Sequence, residues 1–270
     1  MTIPFDLADL AEYEVIPPDE RVRITDTHRV PYRWVCSVDV EYGSTRMRGS
    51  GVLVGRRHVL TAAHNVHDQA GHEPDAVHVV PARDERSQPF GRFGITGIQI
   101  HPEWLTHRVN GNRWDIAMIT LDQDAAAAHQ LGHWGSPTTG QGADLTFVDP
   151  AFLAGHQVVV CGYPGDKCGG AACDPRRGWT VEEQADTMWS HFGEARFLRQ
   201  MPGMLLHTAD THPGQSGSPV WILFQGGRRS LVGIHVGSTR IPNAAGNATV
   251  PVNRAVHLDR DMLTRVQGWM

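Results

Sequence analysis

The chain has 270 residues, 40% of them hydrophobic and 20% charged, which is too apolar for a disordered segment and ordinary for a globular one. Its formal net charge of -5 is spread without long runs of one sign, which argues against a nucleic-acid partner or an anionic membrane surface. No apolar run approaches the ~18 residues needed to span a bilayer, so no membrane contact is expected.

The opening Met1-Thr2-Ile3-Pro4-Phe5-Asp6 has no basic stretch leading into an apolar core, so it does not read as a secretory signal. Residues 1–14 read as a separate leader or pro-segment, and 15–270 as the folded unit. From Val35 to Tyr42 apolar and polar residues alternate, with Cys36, Val38, Val40 and Tyr42 on one face and Ser37, Asp39 and Glu41 on the other. That is the pattern of a half-buried strand. Further strands are expected at Gly51–Val54, His58–Thr61, Ala76–Val80, Ile95–Ile100, Ile116–Leu121, Val158–Cys161, Ala195–Leu198, Pro219–Phe224 and Ser230–Val236, with Gly226-Gly227 turning the last two into a hairpin. Ala255, Leu258, Met262, Leu263 and Val266 recur at helical spacing and predict one C-terminal helix. The 29 glycines and 17 prolines are scattered rather than clustered, as many short strands and turns require. An all-β barrel or sandwich closed by one helix follows.

Cys168 and Cys173 lie close together in a Gly/Ala loop, where either a short-loop disulfide or two free thiols would fit. No CxxC pair is present, and the histidines around His64 (His67, His72 and His78) are read as coincidence in a chain with 16 of them. No metal and no cofactor are expected.

Three segments carry chemistry. Thr211-His212-Pro213-Gly214-Gln215-Ser216-Gly217-Ser218-Pro219 sets a serine among small residues, where a carbonyl can approach and backbone N–H groups can face a developing oxyanion. A serine hydroxyl is a weak nucleophile and needs a base within hydrogen-bond reach. His64, at the end of Val59-Leu60-Thr61-Ala62-Ala63-His64, suits that role, and Asp115, at the start of Asp115-Ile116-Ala117-Met118-Ile119, can hold the imidazole in one tautomer. Gly214 and Ser216 N–H groups would form the oxyanion hole, with glycine at 214 leaving room for the incoming carbonyl. A Gly-x-Ser-x-Gly elbow is excluded, because position 218 is serine and strand rather than helix follows.

Thr-Ala-Ala-His, Asp-Ile-Ala and Gly-Gln-Ser-Gly-Ser-Pro, in the order His, Asp, Ser, resemble the signatures of the chymotrypsin-like serine proteases. Within that superfamily the chain resembles the bacterial glutamyl endopeptidases, through Val15-Ile16-Pro17-Pro18, Gly162-Tyr163-Pro164-Gly165-Asp166-Lys167, Met188-Trp189 and Gly233-Ile234-His235. The resemblance implies two packed six-stranded antiparallel barrels with a cleft between them, and hydrolysis of polypeptides through an acyl-enzyme. It also implies secretion, and a monomer is expected.

By the same resemblance, Thr211, His235 and the amine of Val15 would bind an acidic P1 side chain, with the chain cut after Glu14. A hydroxyl donor and an imidazole N–H suit a carboxylate. Asp210 stands where trypsin carries the aspartate that binds Lys or Arg. An ionised, unpaired carboxylate there would repel P1 Glu unless it turned away or paired with His212 or His235. Lys/Arg preference set by Asp210, or a non-catalytic binding protein on the same fold, are the alternatives.

Overall fold

The computed structural model describes residues 15–68, 70–127, 130–136, 143–168, 171–172, 186–243 and 245–270. The expected leader 1–14 lies outside them. After a short strand β1 (Val22–Arg23), six strands build the first barrel: β2 (Val35–Tyr42), β3 (Thr45–Leu53), β4 (His58–Thr61), β5 (Ala76–Pro81), β6 (Ile95–Ile100) and β7 (Ala117–Leu121). They pair in the order β5-β2-β3-β4-β7-β6, and every pairing is antiparallel. The segment ahead of β6 folds back on β5, where Val79 and Phe93 exchange both backbone hydrogen bonds at 2.9 Å. Helices α1 (Ala63–Val66) and α2 (Pro102–His107) fill the connections.

The second half holds β8 (Ala143–Asp144), α3 (Pro150–Leu153), β9 (Gln157–Gly162), β10 (Lys167–Cys168), β11 (Ala171–Ala172), β12 (Trp189–Arg196), β13 (Met204–His207), β14 (Pro219–Leu223), β15 (Arg229–Pro242), β16 (Thr249–His257) and α4 (Arg260–Trp269). Six of these strands close a ring, β9-β12-β13-β16-β15-β14 and back to β9. β1 adds to β12, and β8 runs parallel to β15. Its inner face is Val158, Val160, Ala195, Leu205, Val220, Val232 and Ala255. Trp34, Trp134 and Trp221 stack in series with centroids 5.7 Å apart, edge-on and tilted, and lie in the larger core cluster shared by both halves. The architecture is therefore two packed six-stranded antiparallel barrels with a C-terminal helix.

Departures from the sequence pattern have local causes. Ser37, expected on the polar face of β2, is buried, and its hydroxyl donates to Asp39, which also takes Arg48 Nε at 2.6 Å. β13 was not expected because Met204 to His207 are all buried and show no alternation. β16 hides buried Asn253 and Arg254 in its run, and Asn253 Nδ2 donates to Ala209 O at 2.8 Å. Ala255 and Leu258, assigned to the C-terminal helix, precede it; α4 starts at Arg260, with Asp259 accepting from Met262 N at 2.9 Å. Cys36 and Cys161 are free and buried, and Cys168 is disulfide-bonded; Cys173 lies outside the described residues. Among the described residues no helix is long and apolar enough to cross a membrane.

Candidate active site

His64 sits in the single turn of α1 directly after β4, Asp115 in the loop that leads into β7, and Ser216 in the turn between β13 and β14. The fold brings all three together. His64 Nδ1 lies 2.6 Å from Asp115 Oδ2, and His64 Nε2 lies 2.5 Å from Ser216 Oγ. Asp115 is wholly buried, and it also accepts from His64 N at 3.0 Å and Gly111 N at 2.5 Å. An ionised carboxylate only accepts, so the proton lies on Nδ1 and the Nε2 lone pair faces the serine hydroxyl. Such a pair can take the proton from Ser216 Oγ as the oxygen attacks a carbonyl.

The turn around Ser216 is braced from outside. Ser50 on β3 donates its N–H to Ser216 O at 2.7 Å and its hydroxyl to Gly214 O at 2.8 Å. The same hydroxyl accepts Tyr163 N at 2.9 Å. Asn65 Nδ2 donates to Ser216 O at 2.8 Å and to Thr61 Oγ1 at 2.9 Å. Within the turn, Gln215 Oε1 accepts His212 N at 3.1 Å and Gln215 N donates to His212 O at 3.0 Å. Sequence reasoning did not single out Ser50 or Asn65. The only signal was a small residue between Gly49 and Gly51 on a strand. Glycine at 214 has a steric reason within the fold: its φ is +98, and a Cβ there would meet Tyr163 O at 2.5 Å and Gly165 N at 3.0 Å.

The residues expected to bind the P1 side chain flank this turn. Thr211 is fully buried, and its Oγ1 has no hydrogen-bond partner among the described residues. His235 on β15 donates its N–H to Ser218 O at 2.8 Å and accepts Gly217 N at 2.7 Å, which laces its strand to the end of the turn. Its Nδ1 lies 3.3 Å from His207 Nε2. Burial, then the neighbouring His207 and His64, hold the His235 imidazole well below its usual range, and burial pushes His207 down to about 3. Both rings are neutral at pH 7.

Asp210 does not pair with His212 or His235. Its carboxylate, 1% exposed, accepts Ile16 N at 2.8 Å and Glu20 N at 3.1 Å. Its own N–H donates to His191 Nδ1 at 2.8 Å, so that nitrogen carries no proton and its 3.3 Å approach to Oδ2 is not a hydrogen bond. Val15, half-buried, directly precedes the Ile16 contact.

A family profile described as a trypsin-like peptidase domain matches residues 49–234, more than half of the chain. The chain is 30% identical over 209 residues to a protein of Bacillus licheniformis named glutamyl endopeptidase, covering 77% of this chain and 54% of that protein. It thus spans about half the length of that relative. A Bacillus subtilis protein named extracellular metalloprotease is 24% identical over 266 residues, 98% of this chain and 72% of that protein. Among the described residues no group of three or more His, Cys, Asp and Glu is placed to hold a metal ion. A solved structure of a Glu endopeptidase in complex with MPD superposes with a TM-score of 0.67 at 19% identity, over 95% of this chain and 98% of that one.

Proposed function

The chain belongs to the trypsin-like peptidase family, and on that premise we propose that it is a serine endopeptidase that prefers an acidic P1 side chain. The observation that carries the reading is the contact chain from buried Asp115 through His64 to Ser216, at 2.6 and 2.5 Å. Ser216 Oγ attacks the scissile carbonyl while His64 Nε2 takes its proton, and the N–H groups of Gly214 and Ser216 receive the oxyanion. Collapse of the tetrahedral adduct breaks the C–N bond, and His64 returns the proton to the leaving amine. Water then attacks the acyl-enzyme by the same route in reverse roles, releasing the acid and restoring Ser216.

Acidic preference rests on three points. Thr211 Oγ1 is a buried hydroxyl with no other partner among the described residues, and buried His235 is neutral and supplies an N–H. The Asp210 carboxylate is occupied by Ile16 and Glu20 N–H groups, which removes the anchor that a Lys or Arg side chain would need. The Bacillus licheniformis relative is named for glutamyl cleavage. The peptidase unit, in this reading, begins at Val15, with 1–14 removed by a cut after Glu14 that the enzyme itself can make.

The test is digestion of a denatured protein mixture, with cut sites mapped by mass spectrometry, by the full chain, by a chain starting at Val15, and by Ser216→Ala. Cuts after Glu that vanish in Ser216→Ala are the expected result. Cuts after Lys or Arg would overturn the pocket assignment, and no Ser216-dependent cut from either chain would overturn the catalytic one.

A further inference from the structure

We infer that residues 16–21 form a strap that holds the Ser216 turn in its working shape, with Arg21 and Asp210 as positioning residues. The inference rests on the peptidase reading of the same site. The strap is anchored at two points on either side of the turn. At the near end, the two carboxylate oxygens of Asp210 take Ile16 N and Glu20 N, so one side chain next to Thr211 fixes both ends of a five-residue bend. At the far end, Arg21, whose side chain is 1% exposed, splits its fork between two carboxylates. Nε and Nη2 reach Asp19 at 2.9 and 2.8 Å, while Nη1 and Nη2 reach Asp166 at 3.0 and 2.5 Å. Lys167 Nζ closes the cluster on Asp19 at 3.0 Å. Asp166 and Lys167, neighbours in the chain, thus both pair with the strap.

Asp166 connects this cluster to the chemistry. The loop that carries it lies directly under the oxyanion side of the turn: Gly165 N donates to Pro213 O at 2.6 Å, and Gly214 packs on Tyr163 and Gly165 too closely to admit a Cβ. His212 Nδ1 stands 3.6 Å from Asp166 Oδ1. Contact therefore runs from Arg21 through Asp166 and Gly165 to Pro213 and Gly214. Two buried cations are matched by two carboxylates that are 28 and 33% exposed, so the cluster is neutral, but ion pairs of this kind add little stability over apolar packing. What the planar fork does supply is geometry, since bidentate pairing fixes both carboxylates in angle as well as distance. An oxyanion donor must be aimed to within a fraction of an ångström, so loss of the strap should act on the transition state more than on substrate binding.

Amide hydrogen exchange and steady-state kinetics on the full chain, on the chain starting at Val15 and on their Arg21→Met variants test this. The expected result is exchange at residues 212–217 at least about tenfold faster in Arg21→Met, with the strands of the first barrel as protected as before. In the peptidase assay kcat should fall about 10- to 100-fold with KM within about twofold, and Arg21→Lys should recover part of it. Unchanged protection at 212–217 overturns the strap whether or not the chain cuts peptides. A loss confined to KM also overturns it. Wild-type chains with no Ser216-dependent cleavage sink the peptidase reading alone, and exchange then decides the strap. Should Arg21→Met fail to fold, Asp166→Asn, which keeps the shape and the Arg21–Asp19 fork, carries the same expectations.

Discussion

The two halves of the site are held in different ways. The His64 half is local: Asp115 takes His64, a few residues beyond a neighbouring strand of the same barrel, and Gly111 in its own loop. The Ser216 half is held from afar. Ser50 and Asn65 reach Ser216 across 166 and 151 positions of sequence, and Ile16 reaches Asp210 across 194. A local arrangement survives as long as its own barrel does. A turn held by distant partners can lose its shape while both barrels stay folded, which makes it the place where activity and stability part company.

Removing the local anchor should have the largest effect. Asp115→Asn keeps the size of a wholly buried side chain but replaces one acceptor with a donor, which sets the wrong tautomer on His64. A triad of this geometry then loses about 10⁴-fold in kcat with little change in KM. Kinetics of the variant, with circular dichroism to show an intact fold, is the check. A loss under about tenfold would mean that Asp115 does not orient the imidazole, and the contrast between the halves would dissolve.

Breaking the distant brace should cost less activity and show its non-local character. Ser50→Ala leaves the backbone bond to Ser216 O but strips Gly214 O and Tyr163 N of their shared hydroxyl. Two buried backbone groups left unsatisfied cost about 1–3 kcal/mol each at most, less where water enters. The expected outcome is a 10- to 100-fold fall in kcat with a modest drop in urea midpoint. An unchanged kcat would show that the Ser50 hydroxyl is dispensable and that the remaining bonds to Ser216 O, from Ser50 N and Asn65 Nδ2, suffice to hold the turn.

The same contrast explains what could be read before the structure. β2, β4 and β6 were legible to the residue because their apolar pattern or β-branched runs belong to single strands. The nucleophile, base and acid candidates were legible because each lies in a short motif, and the chain order relates them. β13 and β16 were not, since one is buried on every residue and the other carries asparagine and arginine that only tertiary partners satisfy. The sequence marks Asp210 but leaves open whether it turns away or pairs with His212 or His235, because no local pattern tells a carboxylate that its donors are backbone N–H groups 194 and 190 positions away. Ser50 and Arg21 went unnoticed for the same reason: their meaning is entirely in what they touch.

Titration of the buried histidines should have the smallest effect. His207 and His235 lie in the second barrel beside the Ser216 turn, and burial holds His207 at about 3 and His235 well below its usual range. The unfolded chain binds protons on both rings below about pH 6.5, and the folded chain refuses them. Their folded values are depressed, so the associated stability is fully present above pH 6.5 and is lost as pH falls toward the folded values. For one ring the loss between pH 7 and pH 5 is at most about 2 kcal/mol. His207→Gln keeps an amide in the position of the ring and removes its titration. Urea unfolding at the two pH values should then show a smaller difference than in the wild type, by up to that amount. His101 in the first barrel, pushed down to about 4 chiefly by burial, contributes its own decline over the same window. His101→Gln should flatten that part while leaving exchange at residues 212–217 untouched. If His207→Gln leaves the pH difference unchanged, the buried pair takes up a proton without unfolding, and the wall beside Ser216 is more polar than its burial implies.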